Sequence, residues 1–223
     1  MNKNTLSPRL MSVVSYIKKG STVADIGTDH ARIPIYILQN NISDFVIASD
    51  IVDGPLGKAA ENLKYFNLTD KVSIRKASGL SGISDNEADC AVIAGMGGEL
   101  ISNILRAYIP RGIKQLIIQP MTDADKVRRA LAETGFSIKI EDIVPEGDKM
   151  YIVIVCERGN MSLSEEEFYI SPVLSAHPLF KEYLLYKLTR MKNAAAKAIR
   201  AGANTEMLHE YTILKKAYEN VFK

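Results

Sequence analysis

Three short stretches of this chain place chemically capable residues at intervals suited to a nucleotide-type crevice. The first is Ala24-Asp25-Ile26-Gly27-Thr28-Asp29-His30-Ala31, where two carboxylates flank a glycine. The glycine permits a tight turn and close backbone approach to a ligand. The dinucleotide fingerprint G-x-G-x-x-G is absent, because Asp29 and Arg32 stand where its second and third glycines would be. A carboxylate there repels a pyrophosphate, which a helix N-terminus otherwise welcomes. NAD and FAD are therefore disfavoured, and a cationic cofactor such as S-adenosylmethionine, with its sulfonium and ammonium, fits better. The second stretch is Ser49-Asp50-Ile51. Its Asp50 lies 25 residues past Asp25, near the ~20-residue interval at which an acid meets ribose hydroxyls. The third is Ala94-Gly95-Met96-Gly97-Gly98, whose three glycines let backbone approach a cofactor or a target base. Each stretch has a plainer explanation: Asp25 as a loop cap, Asp50 as a turn aspartate, the glycines as a strand-to-helix turn. Their recurrence at strand ends within one alternation argues for a shared site.

The elements that must hold these residues follow from apolar patterning. Strand patterns at 22–26 (TVADI), 45–49 (FVIAS), 72–77, 89–94 (DCAVIA) and 115–119 (QLIIQ) alternate with helical patterns at 33–40, 55–66, 99–108 and 123–134. Two more strands, 137–144 and 150–157, follow in succession around a PEGDK turn. Alternation requires crossover connections and a mostly parallel sheet. Unbroken apolar runs such as FVIA and AVIA suit strands covered on both faces. The last two strands imply an antiparallel edge. This is the order of a class I, Rossmann-like α/β methyltransferase fold with a mostly parallel seven-stranded sheet, an analogy that by itself fixes no activity.

The C-terminal quarter differs. Residues 159–178 are polar with two prolines and read as a linker containing at most a turn of helix. Beyond them, Leu184, Leu188, Met191, Ala195 and Ala198, then Met207, Tyr211, Leu214, Tyr218 and Val221, follow the 4-3 spacing of a coiled-coil seam. Two such stripes about Gly202 predict an antiparallel helical hairpin. The expected organisation is a methyltransferase-type domain over 1–160, then linker and coiled-coil hairpin over 161–223. Residues 176–223 carry nine Lys/Arg against four Asp/Glu, although the whole chain is only +2. That excess is either a solvated helical face or a phosphate-binding arm.

Composition narrows the class further. The 223 residues are 47% hydrophobic and 24% charged, enough apolar content to bury a core and too much for a disordered chain. No apolar run approaches the ~20 residues needed to cross a bilayer, and the N-terminus has no signal-peptide pattern, so a cytoplasmic protein without membrane contact is expected. Cys90 and Cys156 sit in apolar runs and read as buried structural thiols. The three histidines have no metal-ligand spacing, and no metal is expected. His30, beside the first turn, reads as a hydrogen-bonded structural histidine bordering the cofactor loop rather than a base.

TVADIGTDHARIPIYIL, IASDIVDGPLGKAAENL, ASGLSG, ADCAVIAGMGGELISNIL and LIIQPM together resemble the bacterial tRNA adenine-22 N1-methyltransferases, the TrmK family, and LSPRLMSVVSYIKKG is similar to that family's opening. The resemblance runs from about residue 6 to 159. It implies S-adenosylmethionine as donor and methylation of an adenine N1 in the D-arm region of tRNA. Carried over by position, Asp25, Ile26, Gly27, Asp29 and His30 would form the methionine-side loop, Asp50 and Ile51 the ribose clamp, and Ser78, Gly79 and Leu80 the adenine side. Ala94, Gly95, Met96 and Gly97 would border the methyl-transfer site with Gln119, Pro120 and Met121. Two positions depart from the family: Ser78 stands where Asp or Asn is common, and Met121 where Asn often follows Gln-Pro.

Adenine N1 has an in-plane lone pair, so positioning can carry most of the catalysis, and a carboxylate near the ring stabilises the cationic product. Asp29 is assigned to that role or to gripping the donor ammonium, with Met96 and Gln119 at the transfer site. Arg9 reaches either a phosphate at the site mouth or a surface partner. Lys187, Arg190, Lys197 and Arg200 supply phosphate contacts along the hairpin. A monomer or weak homodimer is expected. Two other classes remain open at this level: a methyltransferase acting on a small molecule or protein, and a non-catalytic RNA-binding protein that keeps the fold as a relic.

Overall fold

A computed structural model describes residues 5–202 and 205–221; the end residues of the two expected segments, and residues 203–204, lie outside these. The chain runs α1 (Pro8–Ser15), β1 (Val23–Ile26), α2 (Arg32–Gln39), β2 (Val46–Asp50), α3 (Asp53–Tyr65), β3 (Val72–Lys76), β4 (Cys90–Met96), α4 (Gly98–Ala107), β5 (Gln115–Pro120), α5 (Ala124–Glu133), β6 (Phe136–Glu146) and β7 (Lys149–Arg158). The tail adds α6 (Glu165–Tyr169), α7 (Pro172–Ser175), α8 (Phe180–Arg200) and α9 (Glu206–Val221).

All seven strands join one sheet of order β3-β2-β1-β4-β5-β7-β6, parallel up to β5 and antiparallel through β7 and β6. The direction of strand progression reverses between β1 and β4, which opens a crevice beyond their carboxyl ends. Alternate strand residues feed two cores, as the two-fold pleat requires. Ala24, Ile26, Ile47, Ile93 and Ile118 face one side, while Val23, Val46, Ala48, Val92 and Ile117 face the other. The second side is covered by α1, α2 and α3, with Val13, Val14, Ile33, Ile37, Ala59 and Leu63 inside. The first is covered by α4 and α5 and, beyond them, by Leu174, Phe180, Tyr183, Leu184 and Leu214 of the tail, in one continuous apolar cluster.

Helix α1 was read from sequence only as part of a resembling opening, and it docks on the antiparallel edge. The Arg9 backbone N–H donates to Glu146 (2.9 Å), the Ser12 hydroxyl to Asp142 (2.6 Å), and Lys18 pairs with Glu157 (2.7 Å). The stretch expected to be linker instead contains α6 and α7. Ser164 and Glu167 form a reciprocal capping box, and Ser171 caps α7 ahead of Pro172. Both short helices are held by one buried cluster. Arg128 on α5, 1% exposed in its side chain, meets the fully buried Glu141 on β6 at 2.8 Å. Its Nη1 donates to the Phe168 and Tyr169 carbonyls (2.7 and 3.2 Å), and the Ser171 hydroxyl donates to Glu141.

The two long tail helices fold back on one another. Ala195 and Leu214 are buried at their contact, and the other residues of the two stripes are half-buried or buried. Among the described residues no helix is long and apolar enough to cross a membrane, and no group of His, Cys, Asp or Glu could hold a metal ion.

Removing one member of a buried ion pair strands the other charge, so Arg128→Ala is expected to destabilise the fold by about 3–5 kcal/mol. Urea unfolding of the full chain measures this. A loss under about 1 kcal/mol, the worth of an exposed pair, would contradict the anchoring role.

Candidate active site

The loop after β1 begins the site. Gly27 and Thr28 both donate their backbone N–H to the Ser49 carbonyl (2.8 and 2.9 Å), which ties the end of β1 to that of β2. Gly27 has φ +74°, a backbone conformation that favours glycine, and the flexible end of the Met96 side chain occupies the space beside it. His30 and Ala31 also take left-handed backbone (φ 60° and 53°), a strained conformation for residues with a Cβ. The Asn62 side chain holds them by donating to the His30 carbonyl (2.9 Å).

Asp25, inside this loop's base, is 4% exposed. Burial pushes its carboxyl up to about 6; the nearby Thr28 hydroxyl tempers the rise, and Asp50 and Asp29 add to it. The Thr28 and Ser49 hydroxyls are buried without a hydrogen-bond partner among the described residues. A desolvated carboxylate beside two orphaned hydroxyls is a donor set that suits a cationic ligand with polar arms. Asp29 is different: its carboxylate is 72% exposed and lies 3.1 Å from the His30 imidazole. At the end of β2, Asp50 accepts the Val52 N–H (2.9 Å), and Ile51 and Val52 are left 62% and 54% exposed, an uncommon apolar surface at a strand end.

The other wall comes from β4 and β5. The pairing of these strands slips between Ala94 and Met96, with Gly95 bulged out at φ +81°. A bulge re-aims the residue that follows it, and here Met96 crosses toward Gly27. The two strand ends are then laced together. Met121 N–H donates to the Met96 carbonyl (2.8 Å) and Gly98 N–H to the Thr122 carbonyl (3.0 Å). A Cβ on Gly98 would collide with the Thr122 and Asp123 carbonyls, and one on Gly97 would press on the Thr122 hydroxyl.

Gln119 is fully buried; its Nε2 donates to the Pro120 carbonyl (2.8 Å), and its Oε1 accepts from Arg9 Nη1 at 2.5 Å. Arg9 thereby lies over Gly95 and against the Tyr151 ring (5.2 Å to its centroid). Ser78 is exposed and lines a separate cleft of about 170 Å³ with Leu100, Ile104 and Tyr108, while Leu80, 1% exposed, belongs to the core beneath it.

The structure thus brings together Asp25, Ile26, Gly27, Asp29, His30, Asp50 and Ile51 on one side with Ala94, Gly95, Met96, Gly97 and Gln119 on the other. Arg9 joins them from 110 residues away. Of the hairpin cations, Lys187 and Arg190 line a cleft with residues 120–123 of the β5 loop, and Lys187 pairs there with Glu210 (2.8 Å). Arg190 is exposed beside the β5 loop. Lys197 and Arg200 are exposed and stand roughly 10–15 Å farther along α8 at 1.5 Å per residue. Residues that sequence reasoning missed are Tyr151, Thr122 and Asp123; no local pattern marks them. Burial raises the Cys90 thiol to about 12 and Cys156 above its ordinary value, so neither is a nucleophile.

Because Gly98 sets the spacing of the β4 and β5 loops, Gly98→Ala is expected to cut the methyl transfer that the sequence resemblance implies about 100-fold through misplacement, while affinity for the implied donor changes little. Single-turnover kinetics and calorimetry separate the two; an equal loss in both would refute the assignment of this contact to the transfer site.

Comparison with known proteins agrees with this geometry. Residues 6–154 match the family model described as a methyltransferase domain. The tRNA (adenine(22)-N(1))-methyltransferase of Bacillus subtilis is 37% identical over 180 residues, 80% of this chain and 76% of that protein. The crystal structure of the B. subtilis m1A22 tRNA methyltransferase TrmK superposes with a TM-score of 0.82 at 32% identity, covering 97% of both chains. That of M. capricolum TrmK in complex with S-adenosyl-homocysteine does so at 0.81 and 27% identity, covering 96% of this chain and 98% of the other. The resemblance therefore extends through the helical tail as well as the sheet, and the chain belongs to the tRNA (adenine(22)-N(1))-methyltransferase family.

Proposed function

We propose that this chain methylates N1 of adenine 22 in the D-arm region of tRNA. The observation that carries the reading is the crevice between β1 and β4, with a buried carboxylate at its base and a laced β4/β5 rim beside it. Bound there, S-adenosylmethionine supplies an electrophilic methyl group that the adenine N1 lone pair takes directly, with no prior loss of a proton.

The protein's work is to hold and orient. Asp25, with the Thr28 and Ser49 hydroxyls, receives the cationic, hydrogen-bonding end of the donor. Asp50 takes ribose hydroxyls, and Ile51 and Val52 cover apolar surface. Gly95 and Gly97 let backbone come close to the target, and Met96 and Pro120 supply its apolar walls. Gln119 holds Arg9 over the bulge, where the guanidinium can meet a backbone phosphate beside the target. Asp29, exposed at the mouth, balances the positive charge that appears on the methylated ring or grips the donor ammonium. N1 lies on the pairing edge, so the base must leave its stack, at a cost of a few kcal/mol. The reading includes a cytoplasmic reaction carried out by a monomer or weak homodimer.

Methyl transfer to unmodified tRNA transcripts tests the reading. N1-methyladenosine should form on a transcript with adenine at the target and vanish when guanine replaces it; transfer to neither RNA with donor binding intact would sink it.

The raised Asp25 carboxyl gives a second test. A cationic donor favours the ionised form, so binding should release a proton while Asp25 is protonated in the free protein. Donor affinity is then expected to rise with pH from 5 to 7, across about 6, and to become flat in Asp25→Asn. The sign for stability is opposite. A carboxyl raised by desolvation stabilises the fold below its unfolded value of 3.8 and loses that contribution as pH rises toward about 6. A pH-independent affinity in the parent protein would contradict the donor-binding role.

A further inference from the structure

This chemistry leaves unused a cleft of about 320 Å³ between the β5 loop, β7 and the tail helices α8 and α9. It begins at Pro120 and Met121, so it is continuous with the transfer site. Its volume is at the small end of the ~300–1,000 Å³ range of ligand pockets, the size for one nucleotide rather than a duplex.

Two arginine–tyrosine stacks border it. On the sheet side Arg9 lies over the Tyr151 ring at 5.2 Å; on the helical side Arg190 lies over Tyr186 at 5.4 Å. The acids on its wall are engaged, Glu210 with Lys187 and Asp123 with the Thr122 hydroxyl. Arg190 forms no ion pair among the described residues, so its charge stays available.

We propose that this cleft is a second base subsite, which takes the nucleotide next to the methylated adenine once the target has been splayed from its stack. The base stacks on Tyr186, and its phosphate meets Arg190. An aromatic face accepts any base and an arginine accepts any phosphate, so the subsite holds without reading sequence. Its effect is to keep the neighbour unstacked, which lowers the tendency of the target to return. The inference rests on the tRNA reading above.

The test uses the full-length protein and a tRNA carrying 2-aminopurine at either neighbour of the target adenine, followed by fluorescence in binding titrations that need no turnover. One neighbour should show stacking quench in the parent protein and in Tyr186→Phe, and lose it in Tyr186→Ala. The Tyr186→Ala/Arg190→Ala pair should raise the tRNA Kd and KM about tenfold or more with the donor Kd unchanged. Arg190→Ala alone should shallow the salt dependence of binding by about one phosphate contact. Identical quench, tRNA affinity and salt slope in parent and variants would overturn the subsite even if methyl transfer is normal. A protein that quenches through Tyr186 yet forms no N1-methyladenosine would keep the subsite and remove the activity assignment.

Discussion

The buried pairing of Arg128 with Glu141 decides where the tail stands. Two charges taken out of water are costly unless every remaining donor and acceptor is met. Here the partners are the Phe168 and Tyr169 carbonyls and the Ser171 hydroxyl, all from the segment between sheet and hairpin. These contacts hold α6 and α7 against α5 and β6. That placement brings Phe180, Tyr183 and Leu184 onto the sheet's apolar cluster. The cleft beside the β5 loop is thus a product of a charge pair at its back rather than of contacts at its mouth.

The crevice depends on a different kind of constraint, close backbone approach. Gly27 admits the Met96 side chain from β4, and Gly98 admits the Thr122 and Asp123 carbonyls, so the loops around the strand ends approach closely. Hydrogen bonds from Gly27, Thr28, Met121 and Gly98 then fix their relative heights. Such preorganisation suits a reaction that asks for alignment more than for acid or base chemistry.

The parallel strands β2, β4 and β5 were legible in the sequence because each carries an apolar run, and the two tail helices because their apolar spacing repeats over five positions. Asp25, Gly27, Asp50 and the 95–98 glycines were legible because strand ends in this topology converge. What could not be read are contacts made across the fold. Arg128 sits in Asp125-Lys126-Val127-Arg128-Arg129, which reads as an exposed charged helix face, and only the folded sheet supplies Glu141. The helices of 165–169 and 172–175 are five and four residues long, too short for periodicity to show, and they stand because of caps and that buried pair. The charge of Lys187 was visible and its engagement by Glu210 was not.

The docking of α1 has a consequence for how the protein is made. Its anchors are Glu146, Asp142, Glu157 and Gln119, all more than 100 residues downstream. At about 5–20 residues per second on the ribosome, α1 waits on the order of ten seconds for these four partners. The polar anchoring of α1 is therefore completed only after β6 and β7 have been made. Arg9 and the rim it braces are assembled only once β7 is in place, so a nascent chain holds no complete crevice until the sheet is closed.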